Sequence, residues 1–469
     1  AFVTARNSKD PEKLFAVGSK LVRAYPNSKK ISDVLSTMGK IALDSLQFAR
    51  GASFLEAAAR RKRGGDAAKI YKASGEIRAQ LGDRIRAERN LNVLLRIGTS
   101  AAEKAHLATS IAQLHIQAGD WRAVIGLLKR ASVAGASSPK LSYMLGYALF
   151  RDGQLATAQG YLSQAVSGGQ GGGDTAKDAA AAAQFYLAEI SFAAFKQVQL
   201  SSDLSQLGTT LQQKLGFLQA TRQAYTAVGS LGSAVWTVAA LGRLANVDEN
   251  AAIALRSLKL PTGIPEAVAK QVHSALEGNA APLAKESKLA IKQCAATAKK
   301  LKVLSAAAKA CLAMRAPAGD PQANLVVPSV NRSRPEGATK LQRRLALRPN
   351  DLPAIRKLGR LYLRQGNPYM ARMILGKGTE VKETAPLLNA IGVATARLGD
   401  FQGAYTYFER ALKKESDFAF AQANKAYLLS RFGYRNASRA VAKHIANRAA
   451  LTEGDPALLS GALAAIGAN

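Results

Sequence analysis

The C-terminal part of the chain contains pairs of short segments. Within each segment, apolar residues recur three and four positions apart. Between positions 388 and 412, one segment precedes the pair Gly399–Asp400 and the other follows it. Residues three and four apart share one face of an α-helix, so each segment predicts a short amphipathic helix. Glycine followed by aspartate is typical of one helix ending and the next beginning, which predicts a tight turn between the two. Small residues such as Gly392 and Ala404 stand where the two helices must approach closely.

This unit recurs towards both ends of the chain. Three copies are predicted over roughly 352–450, with the residues from about 455 onwards as a terminal cap. A helix pair of this size cannot bury its apolar face alone, so neighbouring pairs must stack into a solenoid. Weaker copies in the N-terminal third are marked by Met38–Gly39, Gly82–Asp83, Gly119–Asp120 and Leu145–Gly146.

The spacing of these positions resembles the tetratricopeptide repeat (TPR). The resemblance implies a right-handed superhelix of antiparallel helix pairs, in which the first helix of each pair lines a concave groove. We therefore predict an all-α fold, a TPR α-solenoid with an irregular helical middle segment. The predicted ranges are an N-terminal degenerate array at 1–167, a helical middle at 168–316, a linker at 317–339 and a C-terminal array at 340–469.

The middle of the chain reads as helices without a clean repeat. The glycine run at 167–173 lacks the Gly-Lys-Ser/Thr of a phosphate loop and follows a helix, so it predicts a loop. Residues 318–338 contain Pro, Ser and Gly without a helical period, which predicts a linker. The predicted middle helices are Ala181–Phe195, Ser205–Val228, Ser233–Ala245, Ile264–Leu276 and Pro282–Leu301.

The two cysteines allow one covalent prediction. If 282–301 and 303–314 form a hairpin turning near Lys302, Cys294 and Cys311 face each other within reach of a disulfide. The alternative is a pair of buried free thiols in a cytosolic protein. A disulfide would indicate an oxidising compartment such as a periplasm. The first residues lack the plan of a signal peptide, and we expect that one was removed before Ala1.

The charge is strongly positive. The chain carries 65 Lys and Arg against 32 Asp and Glu, a formal net charge of +33. Such an excess attracts nucleic acid, anionic lipid or acidic protein, although it also fits solvated helix faces. No RNA-recognition or zinc-finger pattern is present, so we expect protein partners and no nucleic acid. The apolar share of 48% excludes a disordered polyelectrolyte.

Candidate chemistry is sparse. The four histidines are scattered without ligand spacing, and no nucleophile motif or carboxylate pair stands out. We predict that the chain is not an enzyme and that it uses no metal, cofactor or small-molecule substrate.

The remaining candidate is the groove of the C-terminal repeats. The guanidinium group of arginine donates paired hydrogen bonds to carboxylates and backbone carbonyls, and the asparagine side chain can bond to the amides of an extended peptide. The groove therefore predicts an acidic segment or a free C-terminus as ligand. The alternatives are a solvated groove and one filled by the chain's own linker. The predicted groove residues are Arg356, Arg360, Arg364, Asn389, Arg397, Asn424, Tyr427 and Arg431.

The family's two-carboxylate clamp for chaperone tails needs a Lys and two Asn at set positions. The matching positions here hold Arg356, Arg360 and Ala390, so we expect that clamp to be absent.

The order of segments along the chain resembles large TPR proteins of the cell envelope in gliding and predatory bacteria, some tied to adventurous gliding motility. The resemblance implies a periplasmic or outer-membrane-associated scaffold for protein partners, in a motility, secretion or envelope-assembly complex. Two alternatives stay open: a basic cytoplasmic protein that binds nucleic acid, and a surface that rests on anionic lipid or cell-wall polymer. The segments that carry the resemblance are Tyr25–Ser28, Phe185–Phe192, Ser233–Leu244, Leu260–Ile264 and Ala281–Ala284.

Overall fold

A computed structural model describes residues 1–7, 10–97, 99–322, 330–445 and 459. Within these residues every regular element is a helix, which confirms the predicted all-α fold. None of the helices in this part of the chain combines the length and apolar character needed to cross a membrane. The predicted terminal cap from about 455 lies, apart from Leu459, outside the described residues.

Twenty-two helices follow one another in the described residues. The first eleven are α1 (Phe2–Asn7), α2 (Pro11–Ala24), α3 (Ile31–Asp44), α4 (Phe48–Ala59), α5 (Gly64–Gln80), α6 (Arg84–Arg96), α7 (Ala101–Gln117), α8 (Trp121–Val133), α9 (Pro139–Arg151), α10 (Leu155–Gly169) and α11 (Asp174–Gln197). The others are α12 (Leu204–Gly229), α13 (Ala234–Arg256), α14 (Glu266–Leu301), α15 (Ala306–Leu312), α16 (Ala338–Leu347), α17 (Leu352–Arg364), α18 (Pro368–Val381), α19 (Ala385–Arg397), α20 (Phe401–Lys414), α21 (Ala419–Arg431) and α22 (Arg435–Lys443).

The helices gather into two compact units. The first contains the described residues of 1–137, 325–431 and 435–469, and the second contains those of 138–324 and 432–434. The first unit therefore combines repeats from both ends of the chain. This grouping cuts across the four ranges expected from the sequence, because it depends on which helices touch and not on where the repeat pattern is strong.

The turn inside a repeat combines a left-handed glycine with an N-capping side chain. Gly399 has a φ of 86°, a conformation that glycine adopts without steric cost. The Asp400 N–H donates back to the Thr395 carbonyl, and the Asp400 carboxylate accepts from the Gly403 N–H at 2.8 Å. One dipeptide thus satisfies orphan groups of both helices. The same arrangement closes the turns at Gly82–Asp83, Gly119–Asp120 and Gly366–Asn367.

A second glycine position sets how closely the two helices of a repeat pack. A Cβ added to Gly392 of α19 would lie 2.5 Å from the Phe408 ring of α20, so only glycine fits there. The same contact, always sixteen positions apart, recurs in four repeats, which supports a common TPR-like helix pair. The four pairs are Gly39 with Leu55, Gly146 with Leu162, Gly359 with Leu375 and Gly392 with Phe408.

The helices α11 to α14 of the second unit, with 23 to 36 residues each, are longer than those of the repeats. One prediction was wrong: the two helices expected over 264–276 and 282–301 are a single 36-residue helix, α14, which begins at Glu266 and has Pro282 in its interior. Proline removes the hydrogen bond to the carbonyl four residues earlier. Here that residue is Gly278, and both residues are exposed, so water can take the place of the missing bond.

The hairpin of α14 and α15 carries the disulfide. Lys302 ends α14 in the left-handed conformation, with a φ of 52°. Cys294 and Cys311 are fully buried and bonded to each other, with their Cα atoms 5.8 Å apart. The predicted pairing is confirmed. Tyr434 anchors the same hairpin, because its hydroxyl donates to the carbonyls of Ala298 and Val303.

In the first unit, the repeats from the two ends of the chain pack against each other. The Arg332 guanidinium donates to the Gly82 carbonyl at 2.8 Å, and the ring of Tyr369 lies against the same glycine. Arg334 pairs with Glu12 at 3.7 Å. The N-terminal repeats are therefore in contact with the segment before α16 and with α18.

Candidate peptide-binding surfaces

The arginines of the predicted C-terminal groove lie on α17. Arg356, Arg360 and Arg364 are four positions apart, so they form one row along the helix. The first two are half-buried and the third is exposed. A row of guanidinium groups on one first helix is an arrangement that carboxylates can bridge.

Two predicted groove residues do not line a surface. Asn389 of α19 and Asn424 of α21 are both 0% exposed, and the Asn424 amide donates to the Asn389 side-chain oxygen at 2.8 Å. Their expected role of holding the amides of a ligand is therefore corrected. Both positions face the neighbouring first helix instead of solvent, because successive repeats stack through them.

The other predicted groove residues contact the repeats themselves. Arg397 donates to the Leu363 carbonyl at 2.7 Å and so caps the last turn of α17. Arg431 lies 4.6 Å over the Phe401 ring and donates to the Tyr427 hydroxyl at 3.2 Å. Of the predicted set, the three α17 arginines form one row along a single first helix, and for that reason they stay the candidates for partner binding.

A different first-helix surface, in the second unit, is occupied. Residues 317–322, the start of the predicted linker, are non-helical and lie across α9, α11 and α13. We call these residues the docked segment. Its Pro317 is buried, whereas Ala318 and Gly319 are exposed, so the segment lies at the surface of its unit.

A carboxylate anchors the docked segment. The side chain of Asp320 is 16% exposed and accepts hydrogen bonds from the hydroxyls of Tyr186 at 2.7 Å and Tyr147 at 3.0 Å. The Arg151 guanidinium pairs with the same carboxylate at 2.6 Å. Two helices thus supply three donors to one anion, and such charge-assisted bonds are the strong ones.

Further contacts hold the Gln322 side chain, whose amide donates to the Tyr143 hydroxyl at 2.7 Å, and the backbone of the docked segment. Arg243 donates to the Gly319 carbonyl at 2.7 Å, and Asn246 donates to the Pro317 carbonyl at 2.5 Å. The Pro317 ring packs on Gly242, where an added Cβ would lie 2.3 Å from it. The surface therefore binds the carbonyls of a backbone that bends at Gly319, where φ is 76°, and leaves room for a proline ring.

Aromatic side chains form the floor beneath these contacts. Tyr147 and Tyr186 stack with ring centroids 4.6 Å apart, and Trp236 meets the edge of Tyr186 at 5.7 Å. Burial raises the pKa of both tyrosine hydroxyls, which keeps them protonated as donors to Asp320.

An ion pair fixes the backbone-binding arginine. Arg243 pairs with Glu189 of α11 at 2.7 Å, and the Tyr225 hydroxyl donates to the same carboxylate at 2.7 Å. Burial raises the pKa of Glu189, while Arg243 opposes that shift. The guanidinium is therefore oriented before it contacts the docked segment.

Sequence reasoning missed the side chains of this surface but left open that a groove is filled by the chain's own linker. Such a contact exists on the second unit, where the described residues 317–322 of the linker lie. A signal was present: Tyr143, Tyr147 and Arg151 are four apart on α9, a polar row on a mostly buried helix. What the row binds could not be read from its spacing.

No group of three His, Cys, Asp or Glu side chains that could hold a metal ion occurs in the described part of the chain.

Comparison with known proteins identifies no family. No protein-family model matches the chain, and no curated protein matches it. Two similar solved structures are Naa15/Naa10 bound to HypK-THB (14% identity, TM-score 0.30, 95% of this chain and 67% of that chain) and a monomeric mutant of IFIT1 with m7Gppp-AAAA (10% identity, TM-score 0.25, 95% and 88%). Similarities this weak do not define the fold, which rests on the chain's own helices.

Proposed function

We propose that this protein is a non-enzymatic interaction scaffold of TPR-like helix pairs that binds extended segments of partner proteins on its first helices. The docked segment carries the proposal. It is a non-helical stretch whose main-chain carbonyls and Asp320 carboxylate are held by side chains from α9, α11 and α13, as a protein-binding surface would hold a partner segment.

The α17 arginines are the surface that we assign to a partner. Arg356, Arg360 and Arg364 form a row whose guanidinium forks suit an acidic segment or a free C-terminal carboxylate. The net charge of +33 would steer such a segment towards the protein.

We place the scaffold in the bacterial cell envelope, periplasmic or outer-membrane-associated, within a motility, secretion or envelope-assembly complex. The buried Cys294–Cys311 disulfide supports this location, because disulfides persist in oxidising compartments.

Photocrosslinking in the native cell tests the α17 surface. A photoreactive residue replaces Arg364, and the matched control replaces Lys413, which is exposed on the second helix α20. We expect a protein crosslink at position 364 that position 413 does not give and that disappears when Arg356 and Arg360 are both changed to Ala. Crosslinks that survive the double change, or that join nucleic acid or lipid, would overturn the assignment.

Thiol alkylation of acid-quenched native cells tests the compartment. We expect that Cys294 and Cys311 react with the alkylating reagent only after reduction, as read by intact mass. Two thiols that are alkylated in unreduced, unfolded protein would remove the support for an envelope location and favour a cytoplasmic one.

A further inference from the structure

The contacts to the docked segment use chemistry that another protein can also present. Two of them go to main-chain carbonyls, those of Pro317 and Gly319, which every extended peptide has. The side chains that the surface contacts are the Asp320 carboxylate, the Gln322 amide and the Pro317 ring, and of these only Asp320 is charged. A partner segment with proline and aspartate three residues apart and glycine before the aspartate meets these conditions, because the residue at that position has a φ of 76°.

The docked segment can leave without unfolding a helix. It is non-helical, and its middle residues Ala318 and Gly319 face solvent. The preceding helix α15 is tied down independently, because Cys311 is bonded to Cys294. The chain is therefore anchored six residues before Pro317, and the segment beyond that anchor is held by the surface contacts described above.

The donors of the site are built into the unit and need an anion. Tyr147 and Tyr186 are almost fully buried, and each donates to Asp320. If the docked segment leaves, the Tyr186 hydroxyl loses the Asp320 carboxylate that accepts its hydrogen bond, and the loss of an acceptor costs free energy. A second carboxylate in the same place restores the bonds. The site is therefore selective for an anionic side chain.

We propose that the surface of α9, α11 and α13 is a receptor for an aspartate-containing, non-helical segment of a partner protein, and that residues 317–322 occupy it in cis as an internal competitor. This inference rests on the proposed scaffold function and names the ligand class of a second surface. An internal competitor acts at an effective concentration in the millimolar range. A partner segment must therefore bind against that competition.

The probe is a fluorescein-labelled peptide with the sequence of residues 315–322, titrated into the full chain and followed by anisotropy. In the Asp320→Asn variant the docked segment keeps nearly the same side-chain shape at position 320 but loses its negative charge. We expect this variant to bind the probe at least about tenfold more tightly than the native chain, because the competitor is weakened. Adding Arg151→Met should remove that gain, and a probe with Asn in place of its Asp should not bind.

A matched control makes the same change outside the site. Asp152 is exposed at the end of α9, and Asp152→Asn leaves the docked segment unchanged. We expect this variant to bind the probe as weakly as the native chain does. Probe displacement by acetate as effective as by unlabelled peptide would indicate an anion site only and would overturn the proposal.

A second variant covers the case in which Asp320→Asn does not fold. Pro317→Gly removes the ring that packs on Gly242 and changes no side chain of the receptor surface. It should also tighten probe binding. If both variants fold, as judged by circular dichroism and an intact disulfide, yet bind the probe no better than the native chain, the docked segment is a structural part and not a ligand. That outcome leaves the crosslinking test of the α17 surface untouched.

Discussion

At the scale of single residues, Asp248 of α13 is a carboxylate in an unfavourable place. Its side chain is almost fully buried, and burial raises its pKa to about 6. The Arg222 guanidinium at 3.3 Å opposes the shift, but it is itself 39% exposed, and Glu286 adds a like charge. The ionised form of Asp248 is therefore less favourable in the folded protein than in the unfolded chain.

This pKa predicts how stability depends on pH. A pKa raised by folding contributes stability below about pH 4, and that contribution is lost as pH rises through about 6. Asp248→Asn removes the charge, so we expect the variant to be more stable than the native chain at pH 7.5 by about 2–3 kcal/mol. The native chain and the variant should be equally stable near pH 4. Urea unfolding at both pH values measures this, and a native chain that is more stable at pH 7.5 would show that the Arg222 pair outweighs burial.

The buried Asn389–Asn424 pair gives a second prediction at this scale. Asn424→Ala removes a donor to the buried Asn389 oxygen, so we expect a loss of stability of about 1–3 kcal/mol. Thermal unfolding measures it. A segment captured by the α17 arginines should bind the variant as before. Loss of binding with unchanged stability would instead restore the asparagines as ligand contacts.

At the scale of elements, glycine decides how closely two helices of a repeat approach. Gly392→Ala would place a Cβ 2.5 Å from the Phe408 ring, and overpacking of this kind costs about 1–3 kcal/mol. The control is Gly376→Ala in α18, where a Cβ meets nothing within 4 Å. Because alanine restricts the unfolded chain, this control should stabilise by about 0.4–1 kcal/mol. The thermal unfolding midpoints of both variants test these two predictions. Equal shifts of the midpoint from that of the native chain would contradict the close-packing explanation.

Helix ends were predictable where glycine and an N-cap residue stand together, and less so elsewhere. Gly399–Asp400 predicts its turn because the glycine ends one helix and the aspartate caps the next, and both act on groups only a few residues away. Pro282 misled the prediction, since proline is usually a helix boundary. Whether a helix continues through proline depends on what surrounds the freed carbonyl, and the exposure of Gly278 is a tertiary property.

At the scale of the whole molecule, the charge of +33 opposes folding by self-repulsion. Salt screens charges separated by more than about 10 Å at 0.1 M ionic strength, whereas close pairs such as Arg243–Glu189 are screened less. We therefore expect the thermal midpoint to rise when NaCl increases from about 10 mM to about 200 mM, a range over which the screening length shortens strongly. A midpoint that falls with salt would mean that ion pairs dominate over net repulsion.

The sequence by itself determined the all-α class, the repeat turns and the cysteine pairing. These features depend on residues near one another in the chain: apolar residues three and four apart, a Gly–Asp turn, and two cysteines 17 positions apart across one hairpin. The α17 arginine row was likewise visible from its spacing of four. Local periodicity is enough for such features because the helix geometry that produces them is the same everywhere.

Only the tertiary structure decided what these helices touch. Asp320 meets Tyr147 across 173 positions of sequence, and Arg332 reaches Gly82 across 250. Asn389 and Asn424 are buried because neighbouring repeats stack at that face, a fact that their own helices do not contain. Such contacts follow from the small rotations accumulated between successive helix pairs. Those rotations depend on side-chain packing along the whole array and leave no local signature in the sequence.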